Sequence, residues 1–151
     1  MTRIRRILFA SDLSKASAKA FDIAVTLATA TRAKLTIIHV IAPFSPLVSE
    51  RYGRLETIKE LHLEMRQWSQ QEIEKLAQKA TRAGVRAAVL IAEGDPAGQI
   101  VRAARSTRAD LVVVGTHGRT GLTRFVVGSV AARLVATAPC PVVTVPDRQK
   151  R

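Results

Sequence analysis

Gly115, Gly118 and Gly128, with Ser129 directly after them, are the residues whose types and spacing point most plainly to chemistry. Two residues separate the first two glycines and nine separate the second from the third. Before them stands the β-branched run Leu111-Val-Val-Val114, which reads as a buried strand. After them, Val130-Ala-Ala-Arg-Leu-Val135 has helical spacing. Strand, glycine-punctuated loop and helix start together suit a polyphosphate. Glycines let backbone approach an anion closely and can take positive φ. Successive N–H groups can form an anion-binding concavity, and a helix start adds unpaired N–H groups with a partial positive charge. Ser129 stands where a helix N-cap would stand, or can give its hydroxyl to a phosphate oxygen. His117, Arg119 and Arg124 add donors of the right sign. No Gly-Lys-Ser/Thr closes the loop, and G-x-G-x-x-G is absent, so neither of those phosphate motifs applies. The same composition also fits a long loop that only needs flexible residues.

Asp12 is the second candidate. It lies just past the first strand pattern, where a carboxylate can recognise adenosine or ribose, contact a metal held on phosphates, or simply bond its own turn. His39, His62 and His117 have no metal-ligand spacing. His39 reads as a packed histidine near a strand end and His62 as solvated or structural. No carboxylate pair or Ser-His-Asp set is recognisable, and Cys140, between Pro139 and Pro141, reads as a small buried apolar residue. The residues describe a binding site without catalytic groups and without a protein-held metal.

The elements that must position these residues follow from periodicity and punctuation. Residues 5–10 read as the first strand, 11–14 as a turn, and Ser14 as N-cap of a helix with Ala20, Ile23, Ala24 and Leu27 on its buried face. Residues 34–40 form the second strand and 41–53 a loop. A helix over 55–83 carries a stripe of Leu61, Met65 and Trp68, continued by Ile73, Leu76 and Ala80, that is expected in the core. Residues 85–92 form the third strand. Asp95 caps the next helix, Pro96 opens it, and Ala97, Ile100, Val101 and Ala104 form its buried face. The fourth strand is 111–114, and 141–145 is the fifth. Alternating strands and helices imply one domain over residues 1–151, built as a three-layer, doubly wound, five-stranded parallel sheet with helices on both faces. Ligands on such sheets bind beyond the carboxyl ends of the strands, where the strand order reverses. A 3-2-1-4-5 order would bring Asp12 and Gly115 side by side.

Composition narrows the function classes. The chain has 151 residues, 47% of them hydrophobic, and no apolar run long enough to span a membrane. Residues 1–6 run straight into a strand pattern and lack a secretory signal, and a single cysteine excludes an internal disulfide framework. A cytoplasmic protein with no membrane partner is expected. The formal charge is +12 and the pI about 11.2. The charges are scattered along the chain, and aromatic residues are 4%, too few for a base-stacking platform. They read as solvated helix faces with a general attraction to anions, and nucleic-acid binding is the lesser reading.

The glycine signature G-x2-G-x9-G-S/T after a buried strand resembles the nucleotide-binding signature of the universal stress protein family, in its ATP-binding branch. Ile7-Leu-Phe-Ala-Ser-Asp-Leu-Ser14 is similar to the family's first strand and acidic turn, Leu35-Thr-Ile-Ile-His-Val40 to its second strand, and Ala138-Pro-Cys-Pro-Val-Val-Thr-Val145 to its closing strand. The resemblance implies a Rossmann-like sheet of order 3-2-1-4-5 that binds an adenine nucleotide. It implies that Asp12 contacts the nucleoside, that backbone at Val40 reads the adenine edge, and that Ala10 and Ser11 line the same pocket. Val114, Gly115, Gly118, Arg119, Gly128, Ser129 and Val130 would hold the phosphates. The implied cofactor is ATP, with Mg2+ or Mn2+ held mainly by the phosphates. The implied role is a nucleotide-responsive stress and survival factor, with at most slow ATP hydrolysis. A homodimer pairing Val142–Val145 with its copy is also implied. The alternatives are a nucleotide-free interaction module, as in one branch of the family, or a basic nucleic-acid-associated protein.

Overall fold

The computed structural model describes residues 3–43, 55–116 and 128–147. The expectations for His117, Gly118, Arg119 and Arg124 lie outside the described residues. Five parallel strands, β1 (Arg6–Ala10), β2 (Lys34–Ile41), β3 (Ala87–Glu93), β4 (Leu111–Gly115) and β5 (Val142–Val145), form one sheet in the order β3-β2-β1-β4-β5. Between them run α1 (Ala18–Thr31), α2 (Leu55–Arg82), α3 (Pro96–Ser106) and α4 (Ser129–Thr137). The fold is the Rossmann-like arrangement of order 3-2-1-4-5.

The central strands are apolar throughout because both their faces are covered. Successive side chains point to opposite faces, so Ile7 and Phe9 pack against Phe21, Ala24, Ile73 and Ala80 of α1 and α2. Leu8 and Ala10 join Ile100, Ala104, Ala131 and Leu134 of α3 and α4 on the other face. Phe9 and Phe21 meet with ring centroids 5.7 Å apart, tilted by 59°.

Two local expectations are corrected. Ser14 does not cap α1: it precedes a 3-10 turn over Lys15–Ser17, and α1 begins only at Ala18, with no side-chain cap bond from Ser14 or Ser17. The Ser14 hydroxyl instead donates to Asp12 Oδ1, which competes for the side chain that would have capped. Met65 and Trp68 are not core residues, being 38% and 44% exposed, while Ser69, Ile73 and Ala80 are buried. The 28-residue α2 rises about 42 Å. The eight-residue β2 rises only about 26 Å. The helix therefore outruns the sheet, and among the described residues its first half meets only the end of β3, where His62 and Arg66 reach Glu93, so Met65 and Trp68 have no sheet face to pack on.

Asp110 ties the entrance of β1 to that of β4. Its Oδ2 accepts the N–H groups of Arg5 and Arg6, each at 2.9 Å. The N–H of Arg5 is the largest influence on its acidity, and the Arg6 N–H and guanidinium join it against burial, holding the carboxyl below its usual value of 3.8. A depressed pKa contributes stability above the unfolded value that is lost as pH falls through the folded one. Asp110→Ala is expected to cost about 1–2 kcal/mol at neutral pH. In thermal melts across pH, variant and wild type should converge as pH falls below 3.8 and through the lowered folded value. A constant gap over that range would show that packing, not the carboxylate, carries the effect.

Candidate functional site

Strand order decides the location of the site. β1 and β4 are neighbours in register, with Ala10 opposite Val114. Their connections leave the sheet on opposite faces, β1 toward α1 and β4 toward α4, so a crevice opens between them. It forms a cavity of about 390 Å³. Its apolar wall comes from Ala10, Ile38, Val40, Ile100, Val114 and Val130. Its polar groups come from Ser11, Asp12, Ser17, Thr116 and Ser129, and Gly115 and Gly128 supply bare backbone.

The turn after β1 is fixed by its own hydrogen bonds. Ser11 N–H donates to the carbonyl of Ile38 at 2.9 Å, extending the sheet by one residue. Ser11 Oγ accepts the N–H of Leu13 at 3.0 Å and lies 3.1 Å from Ser17 Oγ. The buried His39 ring places Nδ1 2.9 Å from the Ser11 carbonyl oxygen, consistent with a packed histidine. Leu13 takes φ of 63°, a conformation costly for a branched side chain. That sharp reversal turns Asp12 back toward the crevice. Asp12 Oδ1 accepts the N–H of Ser14 at 2.9 Å as well as its hydroxyl. Asp12 Oδ2 is buried and has no hydrogen-bond partner among the described residues. A buried carboxylate oxygen without a donor is costly, so the cavity holds an acceptor built for a donor that arrives from outside.

The opposite wall is the start of α4. Here Gly128, not Ser129, is the N-cap, and Ser129 is the first helical residue with its side chain exposed. The reason is a close backbone contact: Gly128 N–H donates to the Thr116 carbonyl at 2.7 Å. A Cβ on Gly128 would stand 2.9 Å from that same oxygen. The Gly128 φ of −54° is ordinary, so the glycine is needed for approach and not for positive φ. The helical ladder starts with Ala132 N–H to Gly128 carbonyl at 3.0 Å, and the N-cap, being glycine, has no side chain to cap the helix. The N–H groups of Ser129, Val130 and Ala131 therefore precede the ladder, at the positive end of the helix dipole and at the edge of the cavity.

A brace holds this wall. Arg133 of α4 donates from Nη1 and Nη2 to the two oxygens of Asp95, at 2.8 and 2.9 Å. Asp95 is also the N-cap of α3, accepting the N–H of Gly98 at 2.9 Å, as its position before Pro96 predicts. The Arg133 hydrogen bond, followed by that of Gly98, holds the Asp95 carboxyl below its usual value. On the other flank, Glu93 receives Arg66 and lies 3.2 Å from His62 Nε2. Partial burial raises its carboxyl, but those two partners outweigh it and leave the group lowered.

The structure thus brings together Ala10, Ser11, Asp12, Val40, Val114, Gly115, Gly128, Ser129 and Val130 around one cavity. Gly118 and Arg119 lie outside the described residues. Sequence reasoning missed Ser17, Ile38, Ala42, Pro96, Ile100, Thr116 and Ala131, which also line it. Ile38 and Ile100 carried only a core signal, since cavity and core share one face of the sheet. Thr116 was next to a named glycine and could have been found. Among the described residues no group of three or more His, Cys, Asp or Glu could hold a metal ion. Burial, with help from Asp110, raises the Cys140 thiol, which disfavours the thiolate needed of a nucleophile.

The profile of the universal stress protein family matches residues 3–146. The chain is 36% identical over 148 residues to a universal stress protein of Methanocaldococcus jannaschii, covering 97% of this chain and 84% of that one. It is 35% identical over 144 residues to universal stress protein YxiE of Bacillus subtilis, covering 93% and 97%. The universal stress protein UspA from Lactobacillus plantarum superposes with a TM-score of 0.81 at 25% identity, over 96% and 99% of the two chains. A universal stress protein from Archaeoglobus fulgidus, solved in complex with dAMP, shares the fold with a TM-score of 0.64 at 20% identity, over 95% and 98%. So does a family member from Arabidopsis thaliana with AMP bound, with a TM-score of 0.63 at 22% identity, over 95% and 92%.

Proposed function

The chain belongs to the universal stress protein family, and from that membership we propose that it binds ATP in the cavity between β1 and β4. The observation that carries the proposal is the pairing of opposite chemistries across one space. Asp12 Oδ2, buried and without a partner among the described residues, suits the hydroxyls of a ribose. The N–H groups of Ser129, Val130 and Ala131 at the start of α4, which precede the helical ladder, suit phosphate oxygens. Between them, Ala10, Ile38 and Val40 offer an apolar wall for a flat base, with the backbone at Val40 reading its edge. Val114, Gly115, Gly128, Ser129 and Val130 form the phosphate side, with Gly118 and Arg119 joining from outside the described residues. Family neighbours solved with AMP and dAMP support adenine as the base. A divalent cation, Mg2+ or Mn2+, would be held mainly by the phosphates. Among the described residues no side chain at the cavity has the arrangement of a dedicated nucleophile or base, which fits a binding protein with slow hydrolysis at most.

Calorimetric titration with ATP, ADP and GTP in the presence of Mg2+ tests this directly. ATP and ADP are expected to bind, and GTP more weakly. If none of the three binds, the nucleotide reading fails and a nucleotide-free interaction module replaces it.

The same proposal includes a homodimer. Among the described residues β5 pairs on one side only, between Pro141 and Pro146, with Val142, Val143 and Thr144 half-buried and Val145 buried. An apolar edge of this kind invites antiparallel pairing with its copy. Light scattering is expected to give twice the chain mass, with Val143→Lys shifting it toward one chain. A wild-type monomer would overturn the pairing.

A further inference from the structure

The parallel sheet does something to charge that the linear sequence conceals. Every strand enters the sheet at the same edge, opposite the cavity, and every helix ends there. At the strand entrances stand Arg5 just before β1, Arg6 of β1, Lys34 of β2 and Arg86 just before β3, all exposed. The registers make them neighbours: Lys34 N–H donates to the Arg5 carbonyl at 2.8 Å, and Leu35 N–H to the Arg86 carbonyl at 2.9 Å. Arg32 and Arg82, at the ends of α1 and α2, flank them and are also exposed.

Acidic residues are placed elsewhere. Asp12, Glu93 and Asp95 lie at the carboxyl edge, and Glu56, Glu60 and Glu64 on the first half of α2. Asp22 of α1 pairs with Lys79 and Glu72 of α2 with Lys75, while Glu74 shares a surface groove with Arg82. Among the described residues Asp110 is the acid at the basic edge, and it is already bonded to the Arg5 and Arg6 N–H groups and the Arg6 guanidinium. Helix C-termini account for Arg32 and Arg82, whose charge offsets the dipole. They do not account for the row across β1, β2 and β3, where the nearest backbone groups are already in sheet hydrogen bonds.

We propose that this edge docks on the phosphate backbone of duplex nucleic acid without regard to base sequence. Adjacent strands are about 4.8 Å apart, so the row from β3 to β1 spans about 10 Å. That matches the scale of a duplex groove, about 6–12 Å wide, with phosphates on both rims. Arginine dominates the row, and its planar fork suits phosphate oxygens. Two alternatives fit less well. Of the apolar residues at this edge, Ala33, Val85 and Leu111 are buried in the core and Ile4 is partly buried against it, so among the described residues no large apolar side chain stands out there to insert into a bilayer. No aromatic side chain lies here among the described residues, so unpaired bases have nothing to stack on. The surface is separate from the nucleotide cavity and does not depend on it.

The test is fluorescence polarisation with a short labelled DNA duplex of arbitrary sequence, titrated at several salt concentrations. Wild type is expected to bind at about 50 mM salt and to weaken steeply as salt rises, since each phosphate contact adds about −0.9 to the log–log slope. Arg5→Glu/Arg86→Glu should lose at least about tenfold in affinity and flatten the slope by about 2. Lys19→Glu/Lys59→Glu changes net charge equally at exposed helix positions away from this edge and should lose clearly less. If melts show that the first variant is unfolded, Arg5→Gln/Arg86→Gln replaces it with the same expected order. Equal losses in both pairs would overturn the proposal, because net charge alone would then explain binding. So would absence of wild-type binding at low salt. Edge-dependent binding to vesicles of anionic lipid with none to the duplex would overturn it in favour of a membrane surface.

Discussion

Gly128→Ala is expected to weaken ATP binding by roughly tenfold to a hundredfold or more, and to lower thermal stability as well. The new Cβ would lie 2.9 Å from the Thr116 carbonyl oxygen, a separation that side chains essentially never show. Backbone is on both sides of the contact, so no flexible side chain can absorb it. Relief requires the first turn of α4 to move away from β4, breaking the 2.7 Å bond from Gly128 N–H. That motion carries the N–H groups of Ser129, Val130 and Ala131 with it. Losing one phosphate hydrogen bond of the charged type costs about 1.5–3 kcal/mol, which gives the stated range. Ser129→Ala makes a useful contrast. Since Ser129 is not the N-cap, removing its hydroxyl should leave the melting temperature near wild type, and any loss of affinity then reports a hydroxyl–phosphate contact. Calorimetry and melts on both variants decide the matter. Gly128→Ala binding ATP as wild type does, with a lowered melting temperature, would move the phosphates away from α4.

Asp12→Ala should separate nucleotides from one another more than it weakens all of them. In the free protein the carboxylate contributes ambiguously: Oδ1 accepts from Ser14, while Oδ2 is buried with no donor among the described residues. Removing both leaves the free protein's stability changed little, because a lost turn bond is set against relief of an uncompensated group. In the complex, the ribose would lose a charge-assisted acceptor worth about 1.5–3 kcal/mol, again tenfold or more. Wild type should therefore prefer ATP over 2′-deoxy-ATP, and Asp12→Ala should lose most of that preference. A wild type that binds both alike would remove ribose from the role assigned to Asp12. A variant that instead loses its dependence on Mg2+ would assign the carboxylate to the metal.

The architecture was legible in the chain because the strands are buried on both faces. Ile7 to Ala10, Leu35 to Ile38 and Leu111 to Val114 are nearly unbroken apolar runs, and a period-free run between turn residues has few other readings. Asp95 before Pro96 announced its cap, and the structure has that cap. Most of the cavity wall was legible too, since ligands on this sheet gather at known strand ends and the relevant residues follow β1, β2 and β4 in sequence. Local chemistry with a local partner can be read from a string of residues.

Features that depend on distant partners could not. The N-cap of α4 passed from Ser129 to Gly128 because the Thr116 carbonyl, across the loop, claimed the Gly128 N–H. Met65 and Trp68 left the core because α2 is longer than the strands beneath it, a comparison no single segment contains. Asp12 Oδ2 lacks a partner among the described residues because the Leu13 reversal turns that side chain into a crevice made with another strand. Charge shows the limit most clearly. Along the chain Arg5, Lys34 and Arg86 are far apart and read as scattered solvation. Parallel pairing brings all strand entrances to one edge, and Coulomb interactions depend on distance in space, so only the tertiary structure turns those residues into a surface.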